Sequence, residues 1–418
     1  MHIDRRTFLA GGSALLIGQV PLPARAQDKL IKFGAPQDFT KVYTFVTAEY
    51  SQGQRDYITL FNERGGIKGF KVHLDVIDHG NDLPRAIEAF ERYKREGYVL
   101  VDPLSTPMAR GLISRALEDK INMVTTLSGR SDAADGTAFP YVMPLSPNYW
   151  SQAALIIDFF QKQDKDLKGK KIVLVHIDTP FGREPIPIYQ ALAQKLGYEF
   201  QAFPYTPPGN DQSAIWPQVR RARPDWVIFW GAGVGQTVAL NEAIRNGLPL
   251  DRMSSSVWLS ESDMEVVGKD ATKGVLKFEA AAGGREPKVI QDILKEVVAK
   301  GKGAGPEGKV GTSYYNIGVM MGAIQIEGLR KAFEKAPDGP YTGPWLNEGL
   351  RSITNFTADG LLPPITTTKQ DHQGGGRGRI ARWDGSKFVA QSDWGSAYED
   401  VVWAEIRKYS EEFKKSGK

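Results

Sequence analysis

The sequence predicts an α/β protein built from two doubly wound units. Three observations point there. Strand-like runs alternate with helix-like runs along most of the chain, the pattern of parallel sheets with crossover helices. The order of the first four strands and their helices is repeated by the next four. The chain has 418 residues, 41% of them hydrophobic and 24% charged, which is enough for two buried cores.

The elements follow in order. Residues 30–33 read as a strand, and Tyr57, Leu60 and Phe61 mark one face of a helix that stops at Gly65-Gly66. Residues 71–78 alternate as a strand, with Val72, Leu74 and Val76 on one face. Ala86, Phe90 and Tyr93 stripe a second helix, 98–102 is a third strand, a third helix holds 113–117, and 122–126 is the fourth strand. The short strand-like 141–145 is the expected crossing to the second unit, which begins near Tyr149. Its strands are expected over 171–178, 199–205, 226–231 and 255–259, with helices over 186–196, 214–222 and 237–246 between them. A strand over 274–282 and a long helix over 314–333 are expected to return to the first unit, because alone they cannot bury their apolar faces. Residues 300–309 and 336–343 read as loops, and 394–418 as a helix with a charged solvent face.

The first 26 residues read as an export leader: Asp4-Arg5-Arg6-Thr7-Phe8-Leu9, an apolar stretch to Leu22, and Ala24-Arg25-Ala26 as a cleavage site. The paired arginines resemble a twin-arginine signal, although Asp4 and Ala10 depart from its usual flanks and leave general secretion open. Lys and Arg number 53 against 49 Asp and Glu, a net +4, and Arg5, Arg6, Arg25 and Asp4 account for +2 of it. Nothing in that balance calls for nucleic acid or an anionic membrane surface. No later run is long and apolar enough to span a bilayer. Cysteine is absent, which removes disulfides, thiolate chemistry and a lipidated cysteine anchor together. The expectation is a periplasmic protein without a membrane anchor.

Motifs for catalysis and cofactors are weak. Gly231-Ala232-Gly233-Val234-Gly235-Gln236 follows a strand and opens a helix as a dinucleotide fingerprint would, but Gln236 replaces the last small residue, and glycines in such a turn equally admit any close neighbour. Gly374 to Arg379 could cradle a phosphate, yet a strand follows it where an anion site wants a helix. His73, His79, His176 and His372 are scattered without metal-ligand spacing. No G-x-S-x-G, H-E-x-x-H or Walker loop occurs. No enzyme, cofactor or metal is expected. What remains are polar turns at strand C-termini, where open α/β sheets bind ligands: Leu104-Ser105-Thr106-Pro107 and Leu127-Ser128-Gly129-Arg130. Aromatic residues Trp150, Phe181, Trp230 and Trp258 stand at element ends in the second unit, as pocket walls or as core.

Those residues carry a resemblance. Asn62-Glu63-Arg64-Gly65-Gly66-Ile67-Lys68-Gly69, then Asp78 with Asn81-Asp82, Leu104-Ser105-Thr106, and Val175-His176 with Phe181-Gly182 resemble, in order and spacing, the landmarks of the leucine/isoleucine/valine-binding proteins. The resemblance covers residues 29–393. It implies two Rossmann-like lobes joined by three crossings (the type I periplasmic binding protein fold), with 27–147 plus 278–333 in one lobe and 148–277 plus 334–418 in the other. It implies a ligand held between the lobes and delivered to an ABC permease and ATPase, or else a ligand-sensing receptor module of the same fold. The carboxylate site carries over to Ser105, Thr106, Leu127, Ser128 and Gly129, an aromatic position to Phe181, and the partner of a ligand ammonium to Glu261, with Asp263 as the other candidate. Tyr43, in an early loop rich in aromatics, joins Trp150 and Trp230 as expected walls for an amino acid or a small, flat carboxylate.

Overall fold

The computed structural model describes residues 29–127 and 129–417. The expected leader with its cleavage site, and Ser128 of the expected carboxylate site, lie outside the described residues.

The first sheet is built from β1 (Lys29–Gln37), β2 (Phe70–Asp78), β3 (Leu100–Val101), β4 (Asn122–Val124) and β5 (Val142–Met143), with α1 (Thr44–Glu63), α2 (Leu83–Arg95) and α3 (Thr106–Asp119) between them. Its order is β2-β1-β3-β4-β5, parallel throughout. The chain then enters α4 (Tyr149–Asp164) and lays down β6 (Lys171–Ile177), α5 (Pro180–Arg183), α6 (Ile186–Leu196), β7 (Glu199–Tyr205), α7 (Trp216–Ala222), β8 (Trp226–Trp230), α8 (Val234–Arg245), β9 (Met253–Ser255), α9 (Glu261–Val267) and β10 (Leu276–Glu279). After α10 (Lys288–Ile293) come α11 (Ser313–Lys335) and α12 (Gly343–Leu350), and the chain closes with the hairpin β11 (Arg379–Trp383) and β12 (Phe388–Ala390) and with α13 (Glu399–Ser416). The second sheet runs β12-β11-β10-β9-β8-β6-β7, antiparallel only where the hairpin joins it. Strands β6 and β8 are buried almost end to end, as continuous apolar runs covered on both faces should be.

Three differences from the sequence reading have physical causes. β5 pairs with β4, so 141–145 is the edge of the first sheet as well as the approach to the crossing. β10 pairs with β9 and β11, so it stays in the second sheet, and only the helix after it returns to the first. α12, which a division at residue 333 puts in the second lobe, is tied to the first: Asn347 Nδ2 donates to Asn122 Oδ1 (2.7 Å) and to the Pro140 carbonyl (2.8 Å).

The first lobe is held by the crossing of α1 and α11. A Cβ on Gly53 would stand 2.1 Å from the Tyr315 carbonyl oxygen, and one on Gly318 would stand 2.0 Å from that of Tyr50, so the two backbones touch at reciprocal glycines. Asp56 accepts from the Tyr315 hydroxyl (2.8 Å), and Gln54 donates to Gln325 (3.1 Å). At the other end, α13 lies on both lobes. Ser410 donates to Asp135 (2.8 Å) and Phe413 stacks on Phe139 in the first lobe, while Tyr409 packs on Trp150 and Tyr398 reaches Gln161 in the second.

A methyl group forced between α1 and α11 cannot be absorbed by a side-chain rotation, because the obstacle is backbone. Gly318→Ala is therefore expected to cost at least about 2 kcal/mol in urea unfolding. A variant within about 0.5 kcal/mol of wild type, the scatter of neutral surface changes, would contradict the contact.

Candidate functional site in the cleft between the lobes

The strand C-termini of the two sheets face each other across a narrow cavity. From the first lobe come Tyr43, Phe45 and Val46 at the start of α1, and Leu104, Ser105 and Thr106 before and at the start of α3. From the second come Tyr149 at the start of α4, Phe181 in α5, and Ala232 and Trp258 after β8 and β9. With the walls this close, a ligand enters only when the lobes part.

Local chemistry places each wall. The buried Asp38 carboxylate accepts the N–H groups of Lys41 (2.9 Å), Val42 (2.6 Å) and Tyr43 (2.8 Å), so α1 starts where Tyr43 and Phe45 point into the cleft. Ser105 is the extended N-cap of α3, yet its hydroxyl donates to Asn81 Oδ1 (2.8 Å) and ties the turn after β2 to the one after β3. Thr106 Oγ1 accepts the N–H of Gly129 (3.2 Å). The loop after β4 reaches it through Leu127, a buried residue with φ 47°, a backbone conformation that non-glycine residues rarely hold unless their surroundings over-determine it. On the far wall, Tyr149 accepts a hydrogen bond from Trp258 Nε1 (2.8 Å), and burial holds its hydroxyl protonated far above the usual tyrosine range. Phe181 and Trp230 pack on Tyr149 with ring centres 5.3 and 5.5 Å away.

Of the residues expected from the sequence, Tyr43, Ser105, Thr106 and Phe181 come together in this cavity, and Gly129 stands directly behind Thr106. Leu127 is packed beneath the loop, and Trp230 lies fully buried behind Tyr149 and Phe181. Two positions are corrected. Trp150, one helical step on from Tyr149, faces away from the cavity, and its Nε1 donates to the Glu184 carbonyl (2.8 Å). Glu261 is committed elsewhere: its carboxylate accepts both the N–H (3.0 Å) and the hydroxyl (2.9 Å) of Ser313 at the start of α11, beside the buried Lys277, whose Nζ donates to the same hydroxyl (2.7 Å). The sequence reading counted Phe45 among the aromatics of the early loop without singling it out, and passed over Val46, Leu104, Tyr149 and Ala232 as walls.

The motifs set aside in the sequence acquire structural roles. In the 231–236 turn Ala232 lines the cavity, and Gly233 (φ 55°) receives the Phe45 ring 3.0 Å from where a Cβ would stand. The 374–379 loop is filled by the protein's own anion, since Asp371 accepts the N–H groups of Gln373 (2.9 Å), Gly374 (3.2 Å) and Gly375 (2.9 Å). No group of three or more acidic, histidine or cysteine side chains placed to hold a metal occurs among the described residues.

Charges surround the cavity without entering it. Across the lobes, Arg110 of α3 pairs with the buried Glu184, whose other oxygen accepts the Ser131 N–H (2.7 Å). Glu49 pairs with Lys309 (2.7 Å) at the outer rim. Below the start of α3, Asp102 Oδ2 accepts from the Tyr50 hydroxyl (2.6 Å), Gln54 (2.9 Å) and Gln325 (3.3 Å), while Oδ1 has no partner among the described side chains. Complete burial pushes this carboxyl up to about 6, against those three donors.

Against this geometry the comparisons are unambiguous about family. A family described as periplasmic binding protein matches residues 30–387, and the chain belongs to it. The family is one of ligand-binding proteins, and the chain is not an enzyme. Leu/Ile/Val-binding protein homolog 3 of Brucella melitensis biotype 1 is 23% identical over 344 residues, which is 82% of this chain and 88% of that protein. A crystal structure titled as an ABC transporter permease from the Pseudomonas fluorescens group is 29% identical, with a TM-score of 0.86 over 93% of this chain and 98% of that one. A branched-chain amino acid ABC transporter protein from Thermus thermophilus with bound valine shares the fold, at 19% identity and a TM-score of 0.78, over 90% and 99% of the two chains. No helix among the described residues is long and apolar enough to cross a membrane.

The Asp102 network makes a pH-dependent prediction. A folded-state carboxyl raised above its unfolded value stabilises the fold fully below the unfolded pKa, and that stability is lost as pH rises through about 6. Asp102→Asn cannot titrate. Between about pH 4 and about pH 8, wild type should therefore lose roughly 3 kcal/mol more unfolding free energy than the variant, at 1.36 kcal/mol per pKa unit. Parallel urea-unfolding profiles for the two proteins across that range would exclude it.

Proposed function

We propose that the protein captures a small apolar or aromatic monocarboxylate between its lobes and presents it to an ABC-type importer after export to the periplasm. The observation that carries this reading is the lining itself: five aromatic side chains, three aliphatic ones and the hydroxyls of Ser105 and Thr106, with no charged side chain among them. An apolar cavity with a few convergent polar groups is the usual form of a small-molecule site. The first turn of α3 offers the acid end free N–H groups, the positive end of a helix dipole and the Thr106 hydroxyl. Rings of Tyr43, Phe45, Tyr149 and Phe181 then cover a flat or branched hydrocarbon body.

An amino acid asks for more. Its ammonium sheds water when the lobes close, and leaving it unpaired costs several kcal/mol. Glu261, the expected partner, is bound to Ser313. Export fits the leader-like start, and delivery to a permease fits a binding protein whose two lobes meet through polar contacts such as Arg110 with Glu184.

Phenylacetate at about 100 times its dissociation constant should stabilise the protein by about 2.7 kcal/mol, read as a rise in melting temperature, and leucine should leave that temperature unchanged. Stabilisation by leucine but not by the acid would overturn the reading. Thr106→Val should weaken acid binding roughly ten- to a hundredfold in calorimetry, the worth of a hydrogen bond to a charged group, and Thr106→Ser should retain it. Equal affinity in the valine variant would remove Thr106 from the site.

A further inference from the structure

The cavity does not end in solid core on its outer side. One ring borders it there. Phe45 lines the cavity and also lines an open groove that runs between α1 of the first lobe and α8 and α9 of the second. Along α1 the groove follows one face from Phe45 through Ala48 to Gln52, the spacing of a helical stripe. Opposite stand Val234 and Thr237 of α8 and Val266 of α9. Val234 is 45% exposed and Val266 73% exposed, two branched apolar side chains that line the groove. The groove also carries charge: Glu49 is paired with Lys309, Asp263 is bonded to Ser260, and Arg55 stands one helical turn beyond Gln52.

Phe45 is held lightly for a residue in that position. It is only partly buried, its ring meets Tyr314 edge-on at 5.8 Å and Tyr43 at 6.5 Å, and the glycine at 233 leaves it room on the second-lobe side. The space it closes is narrow, well below the volume of an ordinary small-molecule pocket while the lobes are together. A carboxylate anchored at α3 with a body longer than that space has one direction in which to extend.

We infer that Phe45 is the partition that sets ligand length, and that the groove beyond it, walled by Ala48, Val234 and Val266, receives the far end of ω-substituted monocarboxylates too long for the cavity. This rests on the monocarboxylate reading above. It adds a second, outer subsite to the cleft and makes a residue that does not touch the acid end the determinant of specificity.

Calorimetry with phenylacetate, 3-phenylpropionate, 4-phenylbutyrate and 5-phenylvalerate tests it in wild type, Phe45→Ala and Phe45→Leu. Wild-type affinity should rise with chain length and then break where the chain meets Phe45. In Phe45→Ala the break should vanish, with affinity growing roughly fourfold per added methylene, the worth of burying one CH₂. Phe45→Leu, which keeps a core-sized side chain, should give an intermediate profile and guards against loss of folding in the smaller variant. Adding Val234→Asp to Phe45→Ala, at an exposed position, should cancel the gain for the two longest acids and leave phenylacetate unchanged. Identical length profiles in all Phe45 variants would overturn the partition, and a long-acid gain that survives Val234→Asp would exclude this groove as the outer subsite. Failure of every acid to bind either wild type or Phe45→Ala would instead remove the monocarboxylate reading, and this inference with it.

Discussion

Two helices that touch backbone to backbone hold the site in place. Because Gly53 and Gly318 let α1 and α11 close to contact, the position of α1 is fixed along its length rather than at one side chain. Its N-cap and first turn supply three walls of the cavity, and its second and third turns supply Tyr50 and Gln54 to the carboxyl of Asp102, which lies just before the segment that opens α3. The α3 end and the aromatic end of the cleft are thus set by the same rigid body. A shift of α1 would move both at once, which is why the crossing is bare of side chains while the polar links beside it, Asp56 to Tyr315 and Gln54 to Gln325, fix its register.

The electrostatic arrangement is complementary to that geometry. Carboxylates and cations near the cleft are matched with each other or with backbone groups: Glu184 with Arg110 and Ser131, Glu49 with Lys309, and Glu261 with Ser313. The cavity is left to hydroxyls, rings and helix-end amides. Such a site favours a ligand with one charge, at one end, and discriminates by shape along the rest. Closing the lobes excludes water from the cleft and strengthens every hydrogen bond there.

Much of this was legible in the sequence. The alternation of elements is carried by strong local signals, and β7 and α6 fall where the apolar periodicity places them. Ser105 and Thr106 could be placed at the cavity because a polar turn between an apolar strand and a helix lies at the strand C-terminus, where open α/β sheets form their clefts. What failed was whatever depended on long-range pairing or on orientation. Residues 257–259 are apolar enough for a strand, but β9 stops at Ser255 and leaves Val257, Trp258 and Leu259 packed around the cleft instead. β10 carries no mark of which sheet it joins. Trp150 and Tyr149 are adjacent, both aromatic and both buried, and only the rotation of α4, set when Asn148 caps it at Ser151, decides that Tyr149 faces the ligand cavity. Glu261 illustrates the same limit: its position after the last parallel strand suggested a ligand contact, and the Ser313 amide, 52 residues away in the chain, claims it.

The last helix has a kinetic meaning. α13 is bonded to Asp135 and stacked on Phe139 in one lobe, and packed on Trp150 and bridged to Gln161 in the other, so it straps together bodies that otherwise move about three chain crossings. Parting the lobes has to bend this strap or peel one of its ends. That makes opening an activated step, and a barrier of this kind lengthens the residence time of a captured molecule more than it slows capture by the already open form. Length of stay in the cleft then depends on a helix that lines no part of the cavity.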